Sequence, residues 1–171
     1  MDGLTTLRRQ LTAMHGFLET AMEDCPAAIL NTRIPQSTIN PAGAIYAHTV
    51  FVEDAFLNGV VRGQAPLYVA DGWSQKLGLE MPPVTMPEGW EITIDLARFR
   101  PYASAVYAAT DQYLASISDH DLDRLVDAGP AGTLPARDVI GNLMVWHVAT
   151  HQGEISALKG VQGMVGLVMR H

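Results

Sequence analysis

The apolar residues of this chain recur mainly at three- and four-residue steps, which is the period of an amphipathic helix. The first such run extends from about Thr5 to Glu23, and Asp24-Cys25-Pro26 ends it because proline cannot continue a helix. Its apolar stripe consists of Leu4, Leu7, Leu11, His15, Leu18 and Met22. This stripe predicts a first long helix with one face toward a core.

A second helix is predicted to begin near Asn40-Pro41, since asparagine is a favourable cap and proline suits the first helical position. It ends where Gly63 and then Pro66 interrupt the pattern. The apolar stripe of this helix contains Ile45, His48, Val52, Ala55 or Phe56, and Gly59.

The second half of the chain predicts two further long helices and a short one. A third helix is predicted to begin between residues 93 and 95 and to reach about Ser116. A short helix follows over about 118–126, opened by a capping box with Asp in place of Glu. The last long helix is entered at Thr133-Leu134-Pro135 and ends near Gly160 or Gly163. Its stripe carries Ile140, Met144, His147, His151, Ile155 and Leu158.

Residues 63–94 show no period, because prolines and glycines punctuate them throughout. A connection of this length in a compact domain is usually functional or crosses one end of the fold. Four long helices with one crossover between the second and the third predict an all-α four-helix bundle. A length of 171 residues fits one domain with its own core, so residues 1–171 are predicted to form a single domain.

Composition narrows the class of protein. Apolar residues make up 48% of the chain and charged residues 17%, which is typical of a globular protein. A net charge of −7 without a Lys/Arg cluster argues against nucleic-acid binding. The single cysteine, Cys25, excludes an internal disulfide and a thiolate zinc cage. The start of the chain does not resemble a signal peptide, and the apolar stretch around 42–52 is too short to span a bilayer, so the prediction is a cytoplasmic protein without a membrane partner.

Three histidines carry the chemistry that the sequence suggests. His147 and His151 are four residues apart and therefore lie on one face of the last helix, while His48 lies on the inward stripe of the second. Bundles build metal sites from side chains on facing helices, and three imidazoles would leave open positions on the ion. The alternative is three core histidines bonded to nearby carbonyls or carboxylates. A metalloprotease is excluded, because Val148 stands where that motif needs glutamate.

Four further titratable residues have open roles. His15 could be a fourth ligand, an outer partner of a ligand or a core residue, and the last is favoured. Glu154 lies near the face of His151, where it could orient a ligand, accept a proton or sit in solvent. Glu53 and Asp54 fall off the stripe of the second helix, which predicts that they are solvated or paired between helices.

These residues also resemble a known family. The run His151-Gln152-Gly153-Glu154-Ile155, preceded by His147, resembles the signature of the DinB/YfiT-like superfamily, and 158–163 resembles its continuation. Ala47-His48-Thr49 matches the place of the first histidine of the family, and the likeness extends over nearly the whole chain. Two differences concern the substrate: Gln152 stands where many members have arginine, and the tail after Gly163 lacks the Gly-Tyr-Pro ending of close relatives.

The resemblance implies a four-helix bundle that binds one divalent metal, often zinc or nickel, through His48, His147 and His151. Characterised relatives include thiol-dependent S-transferases and a maleylpyruvate isomerase that use low-molecular-weight thiols such as mycothiol, bacillithiol or glutathione. Many members are dimers, so a homodimer acting on a small-molecule substrate is expected.

Two classes of function follow from the sequence. The first is a metal-dependent enzyme, with thiol S-transfer as the first choice and metal-assisted hydrolysis as the second. No catalytic residue can be named firmly in either reaction, and Glu154 is the best candidate for a base. The second class is a non-catalytic metal- or ligand-binding bundle, in which the site serves stability or sensing.

Overall fold

Helices make up most of the structure, a computed structural model that describes residues 2–80, 85–86 and 90–166. Three long helices or helical runs begin the bundle, and a fourth closes it. In chain order the elements are α1 (Gly3–Glu23), α2 (Ala27–Leu30), α3 (Ala42–Glu53) with a π-helical continuation (Asp54–Val61), α4 (Leu67–Ala70), α5 (Trp73–Leu77), α6 (Leu96–Ser116), a 3-10 turn (Asp119–Asp123), β1 (Leu125–Asp127), a second 3-10 turn (Gly129–Ala131), β2 (Thr133–Pro135), α7 (Ala136–Asp138), a second π-helical segment (Val139–Val145) and α8 (Trp146–Gly160).

Within the described residues, α1, α3, α6 and α8 form a four-helix bundle. The helices α1 and α3 each pack against both α6 and α8, so the core lies between all four. The crossover between the second and third long helices contains α4 and α5, and both contact α6. The prediction of an all-α four-helix bundle with a long crossover is therefore confirmed.

The central helix of the bundle is α3. Every residue from Ala42 to Glu53 is buried, which explains why its sequence is apolar on nearly all sides. By contrast, α1 is amphipathic, with Leu11 and Leu18 buried and an Asp2 side chain that caps its first turn by accepting from the Thr5 N–H at 2.7 Å. The sequence pattern thus distinguishes a helix that is enclosed from one that faces solvent.

Two long helices contain a π-helical segment. One continues α3 over Asp54–Val61, and the other, Val139–Val145, joins α7 to α8 in one uninterrupted helix. The two segments contact each other across the bundle. Because each π turn takes in one extra residue, it rotates the side chains that follow it about the helix axis, and such segments are frequent near functional sites.

The crossover is held to the bundle by a buried carboxylate. Asp54, which is 0% exposed, accepts hydrogen bonds from the backbone N–H groups of Leu67 at 2.9 Å and Tyr68 at 2.8 Å. It also accepts from the Tyr102 hydroxyl at 2.8 Å and the Asn58 amide at 2.7 Å. These bonds satisfy the first turn of α4. The stretches 81–84 and 87–89 of the crossover lie outside the described residues, as do 167–171.

The segment between α6 and the last helix differs from the sequence prediction. The short helix predicted over 118–126 is a 3-10 turn that ends at Asp123, although its capping box at Ser118 is present. Next comes an antiparallel hairpin in which Val126 of β1 lies opposite Leu134 of β2. The last helix begins at Ala136, directly after the predicted entry Thr133-Leu134-Pro135, and this entry forms the strand β2. None of the described helices is long and apolar enough to cross a membrane.

Candidate metal centre

Three histidine side chains from two facing helices converge in the bundle. His48 lies in the middle of α3, and His147 and His151 lie one turn apart on α8, which packs against α3. The Nε2 atom of His147 is 3.1 Å from Nε2 of His48 and 3.1 Å from Nε2 of His151. The ligand atoms of all three lie within 4.8 Å of one another. The structure thus brings together the three histidines that the sequence singled out.

Burial keeps two of these imidazoles neutral. His48 is 3% exposed, and burial, with a smaller contribution from the charge of His151, lowers its pKa to about 4. Burial also lowers the pKa of His147 to about 3, with the neighbouring His151 and His48 acting in the same direction. At neutral pH both rings therefore carry a lone pair that can bind an ion.

The mutual contacts of the three rings do not satisfy their nitrogens. The His147 Nε2 can carry one hydrogen, which could reach either His48 or His151 but not both. Whichever neighbour it reaches, the remaining ring keeps an Nε2 lone pair without a donor of its own, which costs free energy. A cation between the nitrogens removes this cost, because every ring then points a lone pair at positive charge.

The spacing suits a transition-metal ion. Two nitrogens that each bind an ion at 2.0–2.1 Å with an angle between 90 and 110° lie about 2.8–3.4 Å apart. The two 3.1 Å separations fall in that interval. Neutral imidazoles are ligands for zinc, nickel, copper and iron in proteins. His48, His147 and His151 therefore fit a divalent ion in both distance and donor chemistry.

The second nitrogen of His151 is held by a carboxylate. Its Nδ1 lies 2.6 Å from Oε2 of Glu154, one turn further along α8. A proton on Nδ1 donates to this carboxylate, which fixes the tautomer and leaves the Nε2 lone pair free for the cluster. Of the three roles open to Glu154 in the sequence, the geometry matches that of orienting a ligand, and its side chain is still 39% exposed.

The other two ligand rings lack such a partner. Nδ1 of His48 and Nδ1 of His147 are buried and have no hydrogen-bond partner among the residues that the structure describes. The edge of the His48 ring faces Trp90, whose ring centroid lies 6.5 Å away. Trp90 belongs to the crossover. Its contact with His48 could not be predicted from the sequence, because an aperiodic segment does not indicate which helix its residues will pack against.

His15 lies outside the cluster. Its Nε2 is 2.7 Å from Oε2 of Glu53, and its ring stacks on Tyr107 with a centroid distance of 4.0 Å. It is not among the three histidines whose ligand atoms converge, so the structure does not place it as a fourth ligand. Its contacts fit the role that the sequence favoured for it, a core histidine, here bonded to a carboxylate.

Glu53 and Asp54 are both buried, at 1% and 0% exposure, and both are paired between helices. The Oε1 atom of Glu53 accepts from the Thr110 hydroxyl of α6 at 2.7 Å, while its Oε2 contacts His15 of α1. The expectation of pairing is therefore correct and the alternative of solvation is wrong. An outward position on the α3 stripe still faces protein, because α3 is surrounded by neighbours on all sides.

Comparisons with known proteins agree with the helical fold described above. The family model of the DinB superfamily matches residues 10–155. A solved structure, described as the crystal structure of the conserved protein of locus from Enterococcus faecalis, is similar with a TM-score of 0.70 and 18% sequence identity, over 92% of this chain and 95% of that one. This likeness supports the fold alone. A search of curated proteins finds no significant match. With the family model covering most of its length, the chain belongs to the DinB superfamily.

Proposed function

We propose that His48, His147 and His151 bind one divalent metal ion, zinc or nickel, and that the protein is a metal-dependent thiol S-transferase. The co-substrate would be a low-molecular-weight thiol and the acceptor a small electrophile. The observation that carries the proposal is the convergence of three imidazole nitrogens from two buried rings and the half-buried His147, with the pKa of His48 lowered to about 4 and that of His147 to about 3. Membership of the DinB superfamily supports the same metal site.

A divalent ion with three neutral ligands and an open position lowers the pKa of a bound thiol or water, which supplies a nucleophile at neutral pH. The protein contributes the neutrality of the ligand set, since no carboxylate belongs to the cluster among the described residues. It also contributes a dry environment at His48, which is 3% exposed and faces the Trp90 ring. Low exposure strengthens the effect of any charge held there.

Glu154 has two functions in this proposal. Its Oε2 accepts the Nδ1 proton of His151 and holds that ring in position. Its Oε1 has no partner within the described part of the chain, and the side chain is 39% exposed. Oε1 is therefore the atom that would take the proton released when a thiol becomes a thiolate.

The proposed reaction can be tested with glutathione and 1-chloro-2,4-dinitrobenzene on the metal-loaded protein. The sulfur forms a bond to the ring carbon, chloride leaves, and the thiol proton passes to Glu154 or solvent. We expect His151→Ala to lower the rate at least about 100-fold. Thr150→Ala, an exposed change on the same helix, is the matched control and should keep the wild-type rate. Equal rates for the wild type and His151→Ala would exclude a catalytic role for the site.

Mycothiol and bacillithiol should be assayed in the same way, because all three thiols present the same sulfhydryl group to the ion. Formation of dinitrophenol without thiol incorporation would indicate hydrolysis instead of S-transfer. A homodimer, a cytoplasmic location and a single domain over residues 1–171 remain predictions of the sequence alone.

A further inference from the structure

A groove between α1 and α6 contains chemistry that the metal centre does not use. It has a volume of about 810 Å³ and is lined by Thr5, Arg8, Arg9, Thr12, Ala13, His15, Tyr107, Ala108 and Asp111. We propose that this groove is a second ligand site, which binds a small organic carboxylate carrying a hydroxyl group. Its lining residues belong to α1 and α6, whereas the three clustered histidines belong to α3 and α8.

At one end of the groove, a buried carboxylate fixes the orientation of the His15 ring. The Nε2 of His15 faces Oε2 of Glu53 at 2.7 Å, and Glu53 is 1% exposed and also bonded to Thr110. A hydrogen on Nε2 of the neutral ring donates to this carboxylate, which leaves the lone pair on Nδ1. This Nδ1 has no partner among the described residues, and His15 lines the groove. It is available to accept a hydrogen bond from a ligand hydroxyl.

The other end of the groove presents an oriented guanidinium. Arg8 pairs with Asp111 through Nε at 2.6 Å and Nη2 at 2.9 Å, which holds its plane across the two helices. The Nη1 donors of Arg8 take no part in this pair, and no other acceptor for them is found in the described part of the chain. They are placed to bind a carboxylate, the anion that suits guanidinium geometry. Arg9 adds a second positive charge to the lining.

The spacing of the two ends sets the length of the ligand. Arg8 and His15 are seven residues apart on one helix, which separates their backbones by about 10 Å along the axis. Between them the wall is formed by Thr12, Ala13 and Ala108, with the Tyr107 ring beside His15. A flat ring with a carboxylate at one end and a hydroxyl at the other matches this sequence of polar, apolar and polar surface. The lining carries two arginines and one aspartate, so it is locally positive in a chain whose net charge is −7.

The probe for this site is 4-hydroxybenzoate, titrated into the full-length protein by isothermal calorimetry. We expect binding that weakens at least about tenfold in Arg8→Gln and to a similar extent when 4-hydroxybenzamide replaces the acid. Benzoate, which lacks the hydroxyl, should bind several-fold more weakly. Arg98→Gln, an exposed change elsewhere on α6, is the control and should leave the affinity unchanged.

A second variant tests the histidine end. His15→Lys keeps an N–H donor for Glu53 and carries no acceptor, so the advantage of 4-hydroxybenzoate over benzoate should disappear. If this variant fails to fold, Arg8→Gln decides alone, because Arg8 has a 42% exposed side chain and its replacement is tolerated at the surface. His48→Ala should not change the affinity, which separates this site from the metal centre. The absence of binding at about 10 mM ligand, or equal binding of the acid and the amide, would overturn the proposal.

Discussion

The Nδ1 atom of His151 lies 2.6 Å from Oε2 of Glu154, and the Nε2 atom of the same ring points into a cluster with His147 and His48. One imidazole therefore connects a partly exposed carboxylate to the buried cluster. Because its two nitrogens cannot both carry the proton of a neutral ring, the carboxylate determines which one is free to bind an ion.

Replacing this carboxylate should weaken metal binding without unfolding the protein. In Glu154→Gln the side chain no longer holds the charge that favours Nδ1–H on His151, and we expect the affinity for zinc to fall about 10- to 100-fold. Competition with a chromogenic chelator measures the affinity. Thr150→Ala on the same helix is the control. An unchanged zinc affinity in Glu154→Gln would show that the contact is incidental.

The stability of the metal-free protein should fall in acid because of the two buried rings. The folded pKa of His48 is about 4 and that of His147 about 3, and the usual value is 6.5 for both. Below pH 6.5 the unfolded chain therefore binds more protons than the folded one. The free energy of unfolding should decrease as the pH falls from 6.5 to about 4 for His48 and to about 3 for His147, by at most about 1.4 kcal/mol per pH unit for each ring.

Urea unfolding at several pH values between 7 and 4 measures this dependence. Carboxylates titrate at the acidic end of the same interval, so the comparison is with the double variant His48→Gln/His147→Gln. The variant should show a shallower decrease between pH 6.5 and 5, where carboxylates contribute least. The same slope in both proteins would contradict the assigned pKa values.

Breaking the buried pair of His15 and Glu53 should be costly. In His15→Ala the Glu53 carboxylate, 1% exposed, loses the hydrogen-bond donor that lies 2.7 Å away, and we expect a loss of about 2–3 kcal/mol in the free energy of unfolding. Adding Glu53→Gln removes the buried charge that has lost its donor and should recover part of this loss. Urea unfolding of the single and double variants gives the coupling. Purely additive losses would mean that the two side chains do not stabilise each other.

The carboxylate of Asp54 should control the order of the crossover. In Asp54→Asn the side chain keeps its shape but loses the acceptor either for the Leu67 N–H or for both the Tyr68 N–H and the Tyr102 hydroxyl. We expect a loss of about 2–4 kcal/mol, together with faster hydrogen exchange at the Leu67 and Tyr68 amides. Asp71→Asn, an exposed change at the end of α4, is the control. Unchanged exchange at both amides would show that other contacts hold α4.

The long helices could be predicted from the sequence because a helix that buries one face has apolar residues at a regular spacing of three or four positions. The predicted ends Glu23 and Ser116 agree with the observed ends of α1 and α6. The same spacing placed His48, His147 and His151 on inward stripes, and the inward stripes of a bundle face one another. The resemblance to the DinB/YfiT-like superfamily supplied the expectation that these histidines bind a metal.

The features that the sequence did not indicate are those without a period. The strands β1 and β2 have three residues each, too few to show alternation. A π-helical segment such as Val139–Val145 depends on one extra residue per turn, which leaves the apolar pattern nearly unchanged. The roles of Asp54 and Glu53 depend on donors from distant parts of the chain, so their burial could not be inferred from neighbouring residues.

The central claim is that His48, His147 and His151 hold a divalent ion, and metal analysis by plasma mass spectrometry tests it most directly. The wild type, His48→Ala and His120→Ala should be purified in parallel without chelators, with circular dichroism to verify folding; His120 is an exposed histidine outside the cluster. We expect about one zinc or nickel ion per chain in the wild type and in His120→Ala, and a loss of most of it in His48→Ala. Equal metal content in the wild type and His48→Ala, or no metal in either, would contradict it.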